Sequence, residues 1–458
     1  MRQRIGTRTP RTTTPLAAIL LSAIVTVSFA TASWAVVGWY RIPHDPTVFG
    51  STGNALMFDV APSSHHRLVA VGTDSGAGGA AIWLSNDGAT WSPVPNQADF
   101  TYGIMLGAAQ GPSDMVVVGY VDTPMGVDAA VWTGHALTWS RVPHDPAVFG
   151  GPGEQYMEDA CAGGPGLVVV GLDDDYTNST DAAVWTSPDG TTWTRVPHDE
   201  AVMGGQGNLA MFGVVAGGPG LVGVGYDDSG GDEDAAVWTS EDGLTWARVP
   251  HSESVFGGAS DQRMYSVTVG DDGLLVAVGV DFGVDDGVAA VWTSADGVSW
   301  TRVAHDDEVF GGPGNQSMAD VVAGGPGYVA VGSEFHLTYW LAAAWTSEDG
   351  IVWKRENRDS EIFGGAGQDE MSGVTVDENG LVVAVGRAEV ANLLVAAVWT
   401  NDSWLYPSLV APAPGDGPYF TEGQPWVERP IFLAMIACCA LVFGFLGWRF
   451  ARRRRSKR

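Results

Sequence analysis

Residues 156–197 read YMEDACAGGPGLVVVGLDDDYTNSTDAAVWTSPDGTTWTRVP, and this stretch decides the fold. It holds four short runs rich in Val, Ala and Thr, at 156–162, 167–172, 182–187 and 193–197. A GGPG turn parts the first two, an acidic loop the second and third, and Ser187-Pro188-Asp189-Gly190 the last two. Val-rich runs of this length bounded by Gly, Pro and Asp form strands. No apolar pattern with a 3.6-residue period supports helices instead.

Working outward, the same unit recurs along the chain. A Trp in an Ala-rich strand stands at Trp83, Trp132, Trp185, Trp238, Trp292, Trp345 and Trp399, at spacings of 49, 53, 53, 54, 53 and 54. A second Trp follows at Trp91, Trp139, Trp193, Trp246, Trp300 and Trp353. A Met recurs at Met57, Met105, Met157, Met211, Met264, Met318 and Met371; one repeat position thus takes seven of the 12 Met, which marks them as packing residues. Four strands per repeat of this length is the blade of a β-propeller. The seventh unit lacks its fourth strand after Asn401-Asp402-Ser403-Trp404, while Trp39-Tyr40-Arg41-Ile42-Pro43 stands alone before the first Met. The sequence therefore predicts an all-β, seven-bladed propeller over 39–405, with four-stranded blades and the ring closed by its N-terminal strand.

The 458 residues are 45% hydrophobic and 17% charged, enough to bury a core. The formal net charge of −30 is unevenly spread. Residues 1–32 carry four Arg and no acid, and residues 429–458 carry eight basic residues and no acid, so all 53 acids fall between them. A surface this acidic repels phosphate backbones and excludes a nucleic-acid partner for the main domain. The apolar stretch 16–32 ends in Ala30-Thr31-Ala32 and reads as a secretory signal peptide over 1–32, with an uncleaved N-terminal anchor as the alternative. Residues 431–448 hold no charge and are followed by the basic tail 449–458, the pattern of a transmembrane helix with its C-terminus inside. A Pro/Gly-rich linker, 406–430, joins it to the repeats. The expected protein is a single-pass, cell-surface monomer with the propeller outside; its Ala-, Gly- and Trp-rich, Lys-poor usage points to a GC-rich bacterial genome. Cys161 is the one cysteine outside 431–448, so no internal disulfide is expected.

The turn between third and fourth strands reads Ser85-Asn86-Asp87-Gly88-Ala89-Thr90-Trp91 and recurs around Asp189, Asp242, Asp296 and Asp349. This SxDGxxW pattern resembles the Asp-box (BNR) turn of sialidases and other secreted propellers. The resemblance implies a structural role: the Asp caps the turn backbone, Gly supplies its torsion and Trp packs beneath. Tyr40-Arg41-Ile42-Pro43 is also similar to the sialidase motif whose Arg binds the sugar carboxylate. Here, however, Arg recurs at Arg141, Arg195, Arg248 and Arg302, as a repeat element does. Sialidase catalytic domains, moreover, have six blades. The sequence assigns no catalytic residue.

Three further patterns are candidates for binding. The His series (His44, His144, His198, His251, His305) sits at the exit of each outer strand and cannot converge on one metal when spread around a ring. Acidic loops containing Asp173 and Asp175, and Asp227, Asp232 and Asp234, offer carboxylates for Ca²⁺, with plain solvated loops as the alternative. Three residues before each Met but one stand amides or acids: Asn54, Glu154, Asn208, Asp261, Asn315 and Gln368. They form either a polar rim to the channel or a set of groups satisfying turn backbone. The function expected is a membrane-anchored extracellular module binding a glycan, peptide or protein. A sialidase-like or other glycoside hydrolase is the alternative.

Overall fold

The computed structural model describes residues 38–402, apart from 51, 67, 96–97, 125, 175–178, 284–286, 325–326, 337 and 365–366. The expected signal peptide or anchor, linker, transmembrane helix and basic tail lie outside the described residues, as does Asp175. Among the described residues no helix is long and apolar enough to cross a membrane.

The described strands form seven antiparallel sheets of four strands each, a seven-bladed β-propeller. Blades 1 to 6 are contiguous in sequence, spanning 55–93, 103–141, 154–195, 209–248, 262–302 and 316–355. Blade 7 combines Glu370–Val376, Val382–Val390 and Leu393–Asn401 with Trp39–Arg41 as its outer strand. That strand pairs in register with the blade's third strand, Arg41 opposite Trp399 and Trp39 opposite Asn401. The ring is thereby sealed by hydrogen bonds rather than by the chain's own continuity.

The core lies between the blades. Seven clusters of buried side chains each join two adjacent blades, the seventh packing Leu381, Val383 and Val398 of blade 7 against Ala55, Leu68 and Trp83 of blade 1. All seven repeat Met are fully buried at the inner strands. A β-bulge follows each of them, so that two residues oppose one on the second strand. The residue paired with Met is always Gly, for instance Gly171 opposite Met157, because a Cβ there would overlap the carbonyl oxygen of the residue before Met.

The two Trp series fasten loops to sheets. The seven inner Trp are buried, and each indole N–H donates to a backbone carbonyl in the loop that crosses into its blade, as Trp83 does to Val48 at 2.8 Å and Trp399 to Ile362 at 2.7 Å. The second Trp of blades 1 and 3 to 6 donates to the Gly of its own turn, as Trp91 does to Gly88 at 2.9 Å, and Trp139 of blade 2 donates to Ala136 at 2.9 Å. In that turn Asp87 Oδ1 accepts from the backbone N–H of Ala89 and Thr90, at 2.9 and 2.6 Å, while Ser85 Oγ accepts from Gly88 N–H. The same bonds recur at Asp189, Asp242, Asp296 and Asp349. Backbone donors hold all five carboxyls below the ordinary range, that of Asp296 at about 2; at Asp87 they outweigh an opposing burial penalty.

Candidate functional site

Antiparallel pairing puts the crossing loops and the second-to-third-strand loops on one face of the ring, and both kinds of tight turn on the other. The loop face and the axial channel that opens on it are where the chain departs most from its repeat.

The rim residues expected from sequence lie on this face. Four of them use the side-chain carbonyl or carboxylate as a latch between blades. Asn54, Asn208, Asp261 and Asn315 accept the backbone N–H of Leu394, Thr180, Glu233 and Gly287 at 3.0–3.3 Å, in each case from the preceding blade. Asn208 also donates to Asp228 at 2.7 Å. Glu154 instead receives the Tyr156 hydroxyl at 2.5 Å, and Gln368 bridges to Trp340 of blade 6.

The carboxylates considered for Ca²⁺ are largely committed elsewhere. Asp173 is ion-paired with Arg195 and accepts from Gln155 at 2.9 Å; Asp227 is ion-paired with Arg248. Asp234 faces His251 at 3.8 Å, and burial raises its carboxyl above the ordinary range. Asp232 is exposed. The partners of these acids are the repeat arginines. Arg41, Arg195, Arg248, Arg302 and Arg355 each lie over the inner Trp of their own blade at 5.4–6.0 Å, and each pairs with an acid near the second strand's end or the inner strand's start. Arg41 thus stacks as its counterparts do, while its acid is the buried Asp369 just ahead of the inner strand, at 3.1 Å.

The channel wall comes from the residues on either side of each Met. Inner-strand alternation buries Met between blades and turns its neighbours toward the axis. The bulge after Met turns Asp59, Asp159 and Asp320, two residues past Met in blades 1, 3 and 6, to that side as well, where their charges repel one another across non-adjacent blades. Each also clasps the next blade, accepting from Ala108, Val214 and Val374 N–H at 2.7–2.8 Å. Burial, with that mutual repulsion, pushes Asp59 up to about 8 and Asp159 to about 7; Glu158 beside them rises to about 7 for the same two reasons.

Toward blades 4 and 5 the wall becomes aromatic. Arg263 lies over the rings of Tyr226 at 5.3 Å and Phe282 at 6.0 Å, and is ion-paired with Glu233. Phe212 joins the group, 5.6 Å from Tyr226 and 5.7 Å from Tyr265. Tyr265 is raised above the ordinary tyrosine range mainly by burial, and feels the charges of Arg263 and, more weakly, of Glu370 in blade 7. Arg387 pairs with Glu370 at 2.5 Å. Between blades 2 and 3 Tyr120 and Tyr156 pack edge to face at 4.8 Å. A second concavity of about 310 Å³ lies at the seam, lined by Arg41, Asp369, Glu389, Ser360 and Asn392.

Sequence reasoning did not single out this aromatic wall. Part of the signal was present: the residues after the seven Met are Phe58, Leu106, Glu158, Phe212, Tyr265, Ala319 and Ser372, and Arg263 and Glu370 stand just before theirs. Positions that vary beside one that never varies mark the surface released from the repeat's packing.

The architecture defines the protein as a seven-bladed β-propeller. No family model matches the chain, and no curated protein sequence matches it. Among solved structures it is similar to Trypanosoma rangeli sialidase, at 13% identity and a TM-score of 0.41, over 82% of this chain and 61% of that one. It is also similar to Chaetomium thermophilum Sqt1 bound to the N-terminus of the ribosomal protein L10, at 11% identity and a TM-score of 0.42, over 74% and 86% of the two chains. The chain spans 55–61% of the length of the Trypanosoma rangeli sialidase structures it matches.

Proposed function

We propose that the protein is a membrane-tethered, extracellular binding propeller that takes a glycan at the mouth of its channel. The observation carrying this reading is the wall of Phe212, Tyr226, Tyr265 and Phe282 around Arg263, all half-buried on the loop face. Sugar rings present an apolar face to aromatic rings and hydroxyls to charged groups, and this wall supplies both within one cluster. The tether rests on the two apolar segments and the basic residues at both ends of an otherwise acidic chain.

One observation favours a second reading, a sialidase-type hydrolase: a tyrosine, Tyr265, within reach of a glutamate's charge, with Arg263 and Arg387 beside them. Against it, both arginines are already paired with Glu233 and Glu370, which neutralise the charge a substrate carboxylate would need. Burial moreover raises the Tyr265 hydroxyl rather than activating it. A glycan-array screen of the purified protein, repeated with Tyr265→Ala and Arg263→Ala, tests the proposal. Binding to a defined glycan that drops at least tenfold in both variants is expected. Binding indifferent to both would remove the channel mouth from consideration, and turnover of a fluorogenic sialoside would favour the hydrolase.

A further inference from the structure

On the opposite face, three departures from the repeat meet at one point. Where blades 3 and 4 turn between their first two strands on GGPG, a sequence blade 6 also carries, blade 1 has Pro62-Ser63-Ser64-His65-His66 and blade 2 has Gln110-Gly111-Pro112-Ser113-Asp114. Blade 2 is also the contiguous blade whose third turn has lost the SxDG sequence, with His135 and Ala136 in its place and Ala136 adopting the positive φ of 50° that Gly takes elsewhere. The structure brings His65, Asp114 and His135 together, one ligand atom from each lying within 4.8 Å of the others. The two imidazoles stack with ring centroids 4.5 Å apart, and His135 Nδ1 stands 2.7 Å from Asp114 Oδ1. The loop bearing His65 is held against blade 2 by Ser64 N–H donating to Gln110 Oε1 at 2.9 Å.

We propose that His65, Asp114 and His135 form a binding site for a divalent transition metal, zinc by preference. Two imidazoles and one carboxylate are the donor set that first-row metals prefer over Ca²⁺ or Mg²⁺. Three protein donors leave the fourth tetrahedral position open, as in sites that hold a water or take a donor from a second molecule. The side chains of His135 and Asp114 are 47% and 36% exposed, so the group is open to an ion from solvent. A metal here joins the first turn of blade 1 to two turns of blade 2.

Two other groups contrast with this one. Asp181, His198 and Glu200, and Asp234, His251 and Glu253, also gather three donors. Each has one imidazole, and both occupy the same place in successive blades, where His pairs with acid as a repeated loop feature. They serve as internal controls.

The test is calorimetric titration of the metal-stripped full-length chain with Zn²⁺. A site is expected whose affinity falls about 100-fold or more in His65→Ala and in His135→Ala, a larger loss than removal of an outer-shell partner causes. The same site should persist in the double variant His198→Ala/His251→Ala. Thermal midpoints in chelator should be equal for all variants, since the substituted side chains lie on surface turns. Co²⁺ should give visible d–d absorption that disappears in His135→Ala, a readout independent of stability. Absence of Zn²⁺ binding by the parent, binding unchanged in His65→Ala/His135→Ala, or loss confined to the control variant would each overturn the proposal.

Discussion

Blade 4 and blade 7 have the same four-stranded ladder and differ in how the fourth strand arrives. In blade 4, Trp246–Arg248 follows its third strand through the Asp242 turn; in blade 7, Trp39–Arg41 comes from the other end of the chain. The ladders correspond, with Arg248 opposite Trp238 and Arg41 opposite Trp399, each followed by one further backbone bond: Val249 N–H to Val237 at 2.8 Å and Ile42 N–H to Val398 at 2.9 Å. Each Arg lies over the inner Trp and meets an acid. What differs is the turn. Trp246 donates its indole N–H to Gly243 at 3.1 Å, whereas Trp39 Nε1 is buried with no partner among the described residues. Blade 7 therefore shows that the turn is dispensable for forming the fourth strand: strand pairing, the buried Trp and the Arg stack suffice. In return the seam leaves one donor unsatisfied and opens the concavity beside Arg41 and Asp369.

The largest expected effect breaks this equivalence outright. Deleting residues 39–43 leaves blade 7 with an open edge, and the whole ring should lose cooperative unfolding, whereas Trp246→Ala should cost about 3–5 kcal/mol within a ring that still closes. Chemical denaturation monitored by Trp fluorescence separates the outcomes. A deletion variant as cooperative as Trp246→Ala would show that the ring does not depend on its seam.

Next in size is a pH effect. Asp159 clasps blade 4 and Asp320 clasps blade 7, and with Asp59 all three are raised in the folded ring, first by burial. A raised folded pKa means that the folded state binds these protons more tightly than the unfolded chain does. The stabilisation is therefore complete below about pH 4 and is lost as pH rises through 7 and 8. The turn aspartates act in the opposite sense, losing their contribution only as pH falls below the ordinary carboxylate range. The thermal midpoint should fall between pH 5.5 and 8.5, and Asp159→Asn and Asp320→Asn should each flatten that fall. A parent midpoint that is level or rises over this window contradicts the assignment.

Removing the seam arginine comes third. Arg41→Ala leaves Asp369, already pushed up to about 6 by burial, without its cation and should cost about 1–3 kcal/mol. Arg248→Ala should cost a similar amount, and a much smaller loss at Arg41 would mean that the seam pair is not equivalent to its counterparts. The smallest effect is the most specific. Trp246→Phe gives up an indole hydrogen bond worth about 1 kcal/mol that Trp39→Phe does not have to lose. Equal costs for the two would place an acceptor beside Trp39 Nε1.

The sequence by itself determined the strand count, the seven units and the closing strand, because each is a local period: a fixed spacing of Trp, Met and Gly must yield the same hairpins wherever it recurs. Within the candidate site it also exposed the repeat arginines, since recurrence distinguishes an element of the ring from a unique group. It did not distinguish a rim open to ligand from blade-to-blade latches at Asn54, Asn208, Asp261 and Asn315, because both uses require a short polar side chain at the same point. Nor did it assemble Tyr226, Arg263, Tyr265 and Glu370, or His65, Asp114 and His135. Those groups come from different blades or different turns, and their distances depend on how the rigid sheets are arranged around the axis. Only the tertiary structure decides that arrangement, through the packing of each blade on the next.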